Sequence, residues 1–144
     1  MDARSYPSRP VLAVSAAIVH DGRVLVVRRA RKPAFGLYTL PGGAVEVGET
    51  LREAIVREAR EETALEIAPV ALAGYREAIG KDAAGRIERH FVILSFAARW
   101  LGGDLRLNEE LDDARWLAPP ELAGLKTTEG LEDIVQAAVA CLAG

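Results

Sequence analysis

The chain has 144 residues, half of them hydrophobic and 27% charged, the composition of one folded domain and not of a disordered segment. A formal net charge of −3 gives no basic field for a nucleic acid polymer or an anionic membrane surface, and no run reaches the roughly 18 apolar residues of a bilayer span. A single cysteine, Cys141, excludes an intrachain disulfide and suits a reducing, cytoplasmic setting.

Residues 1–10, MDARSYPSRP, lack the apolar core of a signal peptide and read as a flexible extension; residues 11–144 read as a single domain. VLAVSAAIV (11–19) and RVLVVRR (23–29) are β-prone runs around His20, Asp21 and Gly22, a hairpin signal because Asp-Gly suits a tight turn. LYTL (37–40) is a short buried strand. The glycine-rich stretch PGGAVEVGET then leads into a helix expected from 50 to about 64, where Thr50 and Glu53 have the T-x-x-E spacing of a capping box. Apolar-alternating runs at 66–79 and 87–100, joined by KDAAGR, predict a second hairpin. After the polar loop GGDLRLNEELDD come a short strand, ARWLA, and a helical turn opened by Pro119 and Pro120 and running through Leu125. A last helix is expected from about 129 to 142, capped by Thr128, with Cys141 on its apolar stripe beside Leu131, Ile134, Val135 and Ala138. Two hairpins mixed with helices point to an α/β content of the α+β kind, with helices packed on a mixed sheet.

The helix after Thr50 carries an anomaly. At about 100° per residue, Glu58 and Glu62 fall on the stripe of Leu51 and Ile55, the face that should pack inward, and Glu61 flanks them beside Ala54. A solvated helix laced with Arg-Glu pairs is one reading, since Arg57 stands four residues from both Glu53 and Glu61. It leaves the repulsion unexplained: like charges at this spacing cost a few tenths of a kcal/mol, and burial raises the cost. A hard divalent cation explains it, because Mg²⁺ takes oxygen ligands and completes its shell with water and substrate phosphate. The loop GAVEVGET has P-loop glycine spacing but carries Glu49 at the lysine position. A carboxylate there suits a cation or a water better than a phosphate.

From Gly43 to Leu65 the chain reads GAVEVGETLREAIVREAREETAL, which resembles the Nudix box, G-x5-E-x7-R-E-U-x-E-E-x-G-U with U a bulky or aliphatic residue. Gly43, Glu49, Arg57, Glu58, Ala59, Glu61, Glu62 and Leu65 fit; Ala64 stands where the family has glycine. An alanine there resists the left-handed helix exit, so the helix is expected to run on slightly. LYTLPGG before the box and DDARWLAPPEL after it are similar to the usual flanks, extending the likeness over residues 11–140.

The resemblance implies a mixed sheet sandwiched between helices and hydrolysis of a nucleoside diphosphate linked to another group. It implies Mg²⁺, or Mn²⁺, held by Glu58, Glu61 and Glu62, with Gly43 at both the metal and the substrate site. Glu49 assists metal or water, and Arg57 orients the carboxylates. Some members add a loop glutamate six positions before a tryptophan; Glu110 before Trp116 fits, with Glu109, Asp112 and Asp113 as rivals. Arg28 is a candidate phosphate ligand, and His90 and Tyr75 are candidates for a base or ribose pocket. The expected substrate is ADP-ribose or a related nucleotide sugar. The alternatives are a nucleoside triphosphate pyrophosphohydrolase and a module that binds ADP-ribose without cutting it. The family likeness also suggests a homodimer.

Overall fold

The structure, a computed structural model, describes residues 4–143. β1 (Val11–His20) and β2 (Arg23–Arg29) form the first hairpin. Asp21 and Gly22 close it at φ 51° and 73°, the two positive values a type I′ turn needs. The strands pair only through Val19–Val24 and His20–Arg23. Beyond that point β2 peels away to pair with β3 (Tyr38–Thr39), while its other edge pairs with β7 (Leu111–Leu117) from Val24 onward. The vacated edge of β1 is taken by β4 (Gly42–Ala44), through Ala13–Ala44, Val14–Gly43 and Ser15–Gly42.

On its other edge β1 runs parallel to β6 (Ile87–Gly102), which pairs antiparallel with β5 (Glu66–Lys81). The result is a seven-stranded mixed sheet. Side chains alternate between its faces with the period of two that strands impose. Val14, Ala16 and Ile18 join Phe96 and Ala98 under α1 (Leu51–Thr63), while Ala17, Val24, Val26 and Ala97 pack with α2 (Leu131–Ala143). The sheet therefore lies between helices, as the element order implied.

α1 begins with a complete capping box: Glu53 N–H donates to Thr50 Oγ1 at 3.1 Å, and Thr50 N–H to Glu53 Oε1 at 2.9 Å. Its other end corrects an expectation. The helix does not run on past the box; Ala64 itself takes the left-handed conformation, φ 64° and ψ 14°, with its N–H on the Arg60 carbonyl. The fold imposes the turn although the residue resists it. Two expectations for the last helix are also corrected. It starts at Leu131 and not near 129, and Thr128 is no side-chain cap, since its hydroxyl donates to Thr39 Oγ1 at 3.0 Å. Cys141 is exposed. Relative to Leu131, residues 135, 138 and 142 stay within about 40° of one line while 141 falls about 80° off it, so Leu142 joins that core instead. The turn opened by Pro119 is shorter than expected, a 3-10 helix over Pro119–Leu122.

Within the amino-terminal extension, Tyr6 is tied to the β5–β6 hairpin. Its hydroxyl donates to Asp82 Oδ2 at 2.8 Å and its N–H to the Glu88 carbonyl at 2.8 Å. Among the described residues, no helix is long and apolar enough to cross a membrane.

Replacing Ala64 by glycine removes the cost of a left-handed Cβ, offset in part by the greater freedom of an unfolded glycine. Ala64→Gly should stabilise the protein by about 1 kcal/mol, seen as a higher urea midpoint at unchanged m-value.

Candidate active site

Arg57, on the second turn of α1, gathers the acidic side chains. Its Nε and Nη2 form a fork on Glu49, donating to Oε2 at 2.6 Å and to Oε1 at 2.9 Å. Nη2 also reaches the Ala44 carbonyl at 3.1 Å, while Nη1 donates to Glu58 Oε1 at 2.8 Å and to Glu61 Oε2 at 3.3 Å. These bonds hold the guanidinium far above its ordinary pKa, the Glu49 fork foremost. The same fork, with the Glu46 N–H on Glu49 Oε1, holds the Glu49 carboxyl down to about 2. Both Glu49 oxygens are therefore engaged, and Glu49 does not line the cavity described below. It acts here as the clamp on Arg57.

Glu58 and Glu62 turn toward β4, as their place on the stripe required. Glu62 is 5% exposed, and its Oε1 accepts the Gly42 N–H at 3.0 Å. Burial pushes its carboxyl up to about 7, against the pull of that N–H and with Glu58 adding repulsion. Burial raises the Glu58 carboxyl as well, opposed by Arg57. A Cβ on Gly43 would lie 2.6 Å from the Glu58 carboxylate, so only glycine lets this acid approach the strand. Glu61 points outward, with its side chain 55% exposed.

The acidic loop is fastened to the end of α1. Arg106 and Asn108 donate their N–H groups to the carbonyls of Thr63 at 2.9 Å and Glu62 at 3.2 Å, satisfying acceptors that a helix end leaves open. This brings Glu110 close enough to Glu62 to raise its pKa. Glu110 also pairs with Arg31 at 3.3 Å and Arg29 at 3.9 Å.

Glu58, Glu61, Glu62, Glu110 and Gly43 all line one cavity of about 1100 Å³, which continues over the α2 face of the sheet. Of the rival acids, Glu109 reaches it as well, whereas Asp112 is bound to Arg28 at 2.6 Å and Asp113 to Tyr38 and Arg115. Arg28, His90 and Tyr75 are not among the lining residues; their neighbours Arg29, Arg89, Phe91 and Arg76 are. The error is one of phase: alternation shows that neighbouring strand residues face opposite ways but not which faces the site. Ser15 and Ser95, hydrogen-bonded Oγ to Oγ at 2.7 Å, and Arg76 also line the cavity and were not anticipated. The one sequence signal of the serine pair was a lone serine within an apolar run, VLAVSAAIV on β1 and FVILSFAA on β6.

The profile described as NUDIX domain matches residues 9–138. The chain belongs to the Nudix family. It is 35% identical over 107 residues to an ADP-ribose pyrophosphatase of Methanocaldococcus jannaschii, covering 74% of this chain and 61% of that protein. It is 31% identical over 122 residues to a MutT-like protein of Streptomyces ambofaciens, covering 85% of this chain and 72% of the relative. Among solved structures, the MutT NUDIX hydrolase from Burkholderia pseudomallei superposes with a TM-score of 0.78 at 28% identity, covering 90% of this chain and 98% of the other.

Nudix hydrolases use divalent metals, and the donor set here fits one. Among the described residues no group of three His, Cys, Asp or Glu side chains is preassembled around a point, because Arg57 draws Glu58 and Glu61 to itself. Mg²⁺ does not require such a cage; one or two carboxylates with water and substrate phosphate suffice. Glu62 and Glu58, desolvated and facing the cavity, are carboxylates of that kind. Below about pH 7 a divalent cation bound at Glu62 would have to displace its proton, so affinity for such a cation should rise with pH by about tenfold per unit and level off above that value. Calorimetric Mg²⁺ titrations between pH 5.5 and 8.5, set as about three units of range, check this linkage.

Proposed function

We propose that this Nudix domain hydrolyses the phosphoric anhydride bond of a nucleoside diphosphate linked to another group, ADP-ribose or a related nucleotide sugar. One observation carries the reading: two desolvated carboxylates, Glu58 and Glu62, open onto a cavity of about 1100 Å³. That space is slightly above the roughly 300–1,000 Å³ usual for small-molecule sites, room for a nucleotide and an attached sugar. The likeness to the archaeal ADP-ribose pyrophosphatase supports the same substrate class.

In this reading Glu58 and Glu62, aided by Glu61 and Gly43, would hold Mg²⁺ or Mn²⁺. The ion supplies charge neutralisation at the diphosphate and a lowered pKa for an attacking water. Arg57, clamped by Glu49, keeps the helix carboxylates aimed at the cavity. Arg29 and Arg31, released from Glu110 as phosphate enters, offer forked donors to its oxygens. Glu110 is then free to take the proton of the water that attacks phosphorus. The uncovered apolar side chains of β5, Leu72 at 52% exposed, Tyr75 at 63% and Ile79 at 56%, support the expectation of a homodimer.

The test is incubation with Mg²⁺ and a panel of nucleotide sugars and triphosphates, read by product. AMP and ribose 5-phosphate from ADP-ribose are expected. Pyrophosphate release from triphosphates alone would establish the triphosphate pyrophosphohydrolase instead, and binding without turnover the sensing module. Glu62→Gln, which keeps the side chain's size and removes its charge, should lower kcat by about 100-fold or more with an unaltered circular dichroism spectrum. Full activity in that variant would remove Glu62 from the mechanism.

A further inference from the structure

The cavity has a second end that the acidic site does not use. Arg76, on β5, lines it together with Arg89, Phe91 and Ile93 from β6 and Glu129 ahead of α2. Its guanidinium is half-buried, and among the described residues it makes no hydrogen bond and no ion pair within 4.0 Å; the charge of Glu129 acts on it only from farther off. Every other arginine facing the cavity is engaged by the protein: Arg29 and Arg31 meet Glu110, and Arg4 and Arg89 have partners of their own. An arginine offers five donors in a rigid fork suited to carboxylate or phosphate. Partial burial lowers its pKa, which an anion at the fork would reverse.

The sheet register sets how far this cation lies from the acids. Ala44 of β4 is paired with Ala13 of β1, Ala13 with Ile93 of β6, and Ile93 with Arg76 of β5. Three strand spacings separate the ends of this row, about 14 Å between backbones. Glu58 and Glu62 sit over β4, through Gly43 and Gly42. A diphosphate held at those acids is therefore well short of Arg76. Between them the cavity passes onto the α2 face of the sheet, over Ala13, Ser15, Ile93 and Ser95, where the two serine hydroxyls are bonded to each other. Because one cavity joins the two ends, the rest of a substrate can follow it and bring its far end to β5.

We infer that Arg76 is a specificity-determining residue that grips an anionic group, phosphate or carboxylate, carried by the substrate beyond its diphosphate. Within the substrate class proposed above, the preferred members are accordingly those with a further negative charge on the nucleoside or the attached sugar, and ADP-ribose itself is turned over at higher KM. This rests on the acidic site being the diphosphate end, as proposed above.

Matched pairs test it: ADP-ribose against its 2′-phosphate, and UDP-glucose against UDP-glucuronate, each with wild type, Arg76→Ala and Arg76→Lys. In wild type the charged member of at least one pair should show a KM lower by about tenfold, the scale of a charge-assisted hydrogen bond. The pair that responds tells phosphate from carboxylate. In Arg76→Ala that KM ratio should fall to about one, with partial recovery in Arg76→Lys. A wild-type ratio near one for both pairs, or one that Arg76→Ala leaves unchanged, overturns the inference. So does an equal KM increase for both members of each pair, which would mean that Arg76 reads a neutral part common to them. If none of the four is hydrolysed, the proposed function fails on its own. The inference is then decided by calorimetric titration of the same ligands with Mg²⁺: selective weakening of a charged member in Arg76→Ala sustains it, and equal affinities within each pair, or no binding, overturn it.

Discussion

One guanidinium ties the acidic end of this molecule together. Arg57 joins the loop through Glu49, β4 through the Ala44 carbonyl, and its own helix through Glu58 and Glu61. Of these segments, β4 and the helix contribute to the cavity wall, while the loop stands behind them. A lysine, with one nitrogen on a flexible stem, could not bridge them all. The arrangement explains why the loop glutamate at position 49, remote from the cavity, matters: it saturates one side of the fork and so fixes which way the remaining donors point.

The second constraint is electrostatic. Glu58 and Glu62 are desolvated, close enough to repel, and offset only in part by Arg57 and the Gly42 N–H. Burial of carboxylates on this footing is costly unless something positive joins them. The fold accepts the strain locally through glycines at 42 and 43, where any larger residue would strike Ser15 and Val14 or the Glu58 carboxylate itself. Stability is given up where chemistry is to be done.

Much of this could be read from residue order, and the boundary is instructive. Signals confined to a few neighbouring residues survived folding: the T-x-x-E cap, the Asp-Gly turn, and the inward stripe of Glu58 and Glu62. What failed depended on phase or on distant partners. Arg28 and Arg29 are equivalent on a strand until β7 provides Asp112 for one and the loop provides Glu110 for the other. Cys141 lies one residue from the position that packs, and Thr128 gives its hydroxyl to Thr39 across the fold. Ala64 is the inverse case: local preference argued for a longer helix, and tertiary structure overruled it. Arg76 was invisible because its meaning lies in a four-strand row that no local pattern reveals.

The attachment of the acidic loop to α1 has its own consequence. Its two fastening bonds run from the main-chain N–H groups of 106 and 108 to main-chain carbonyls, and a third holds Glu110 itself, whose N–H donates to Asn108 Oδ1 at 3.0 Å. Residues 104–106 can drift in identity without moving Glu110, Leu107 being held by its packing on the core, while the gain or loss of a single residue between the second bond and β7 would carry that carboxylate away from its neighbours. Selection on this segment should then act on its length more than on its letters.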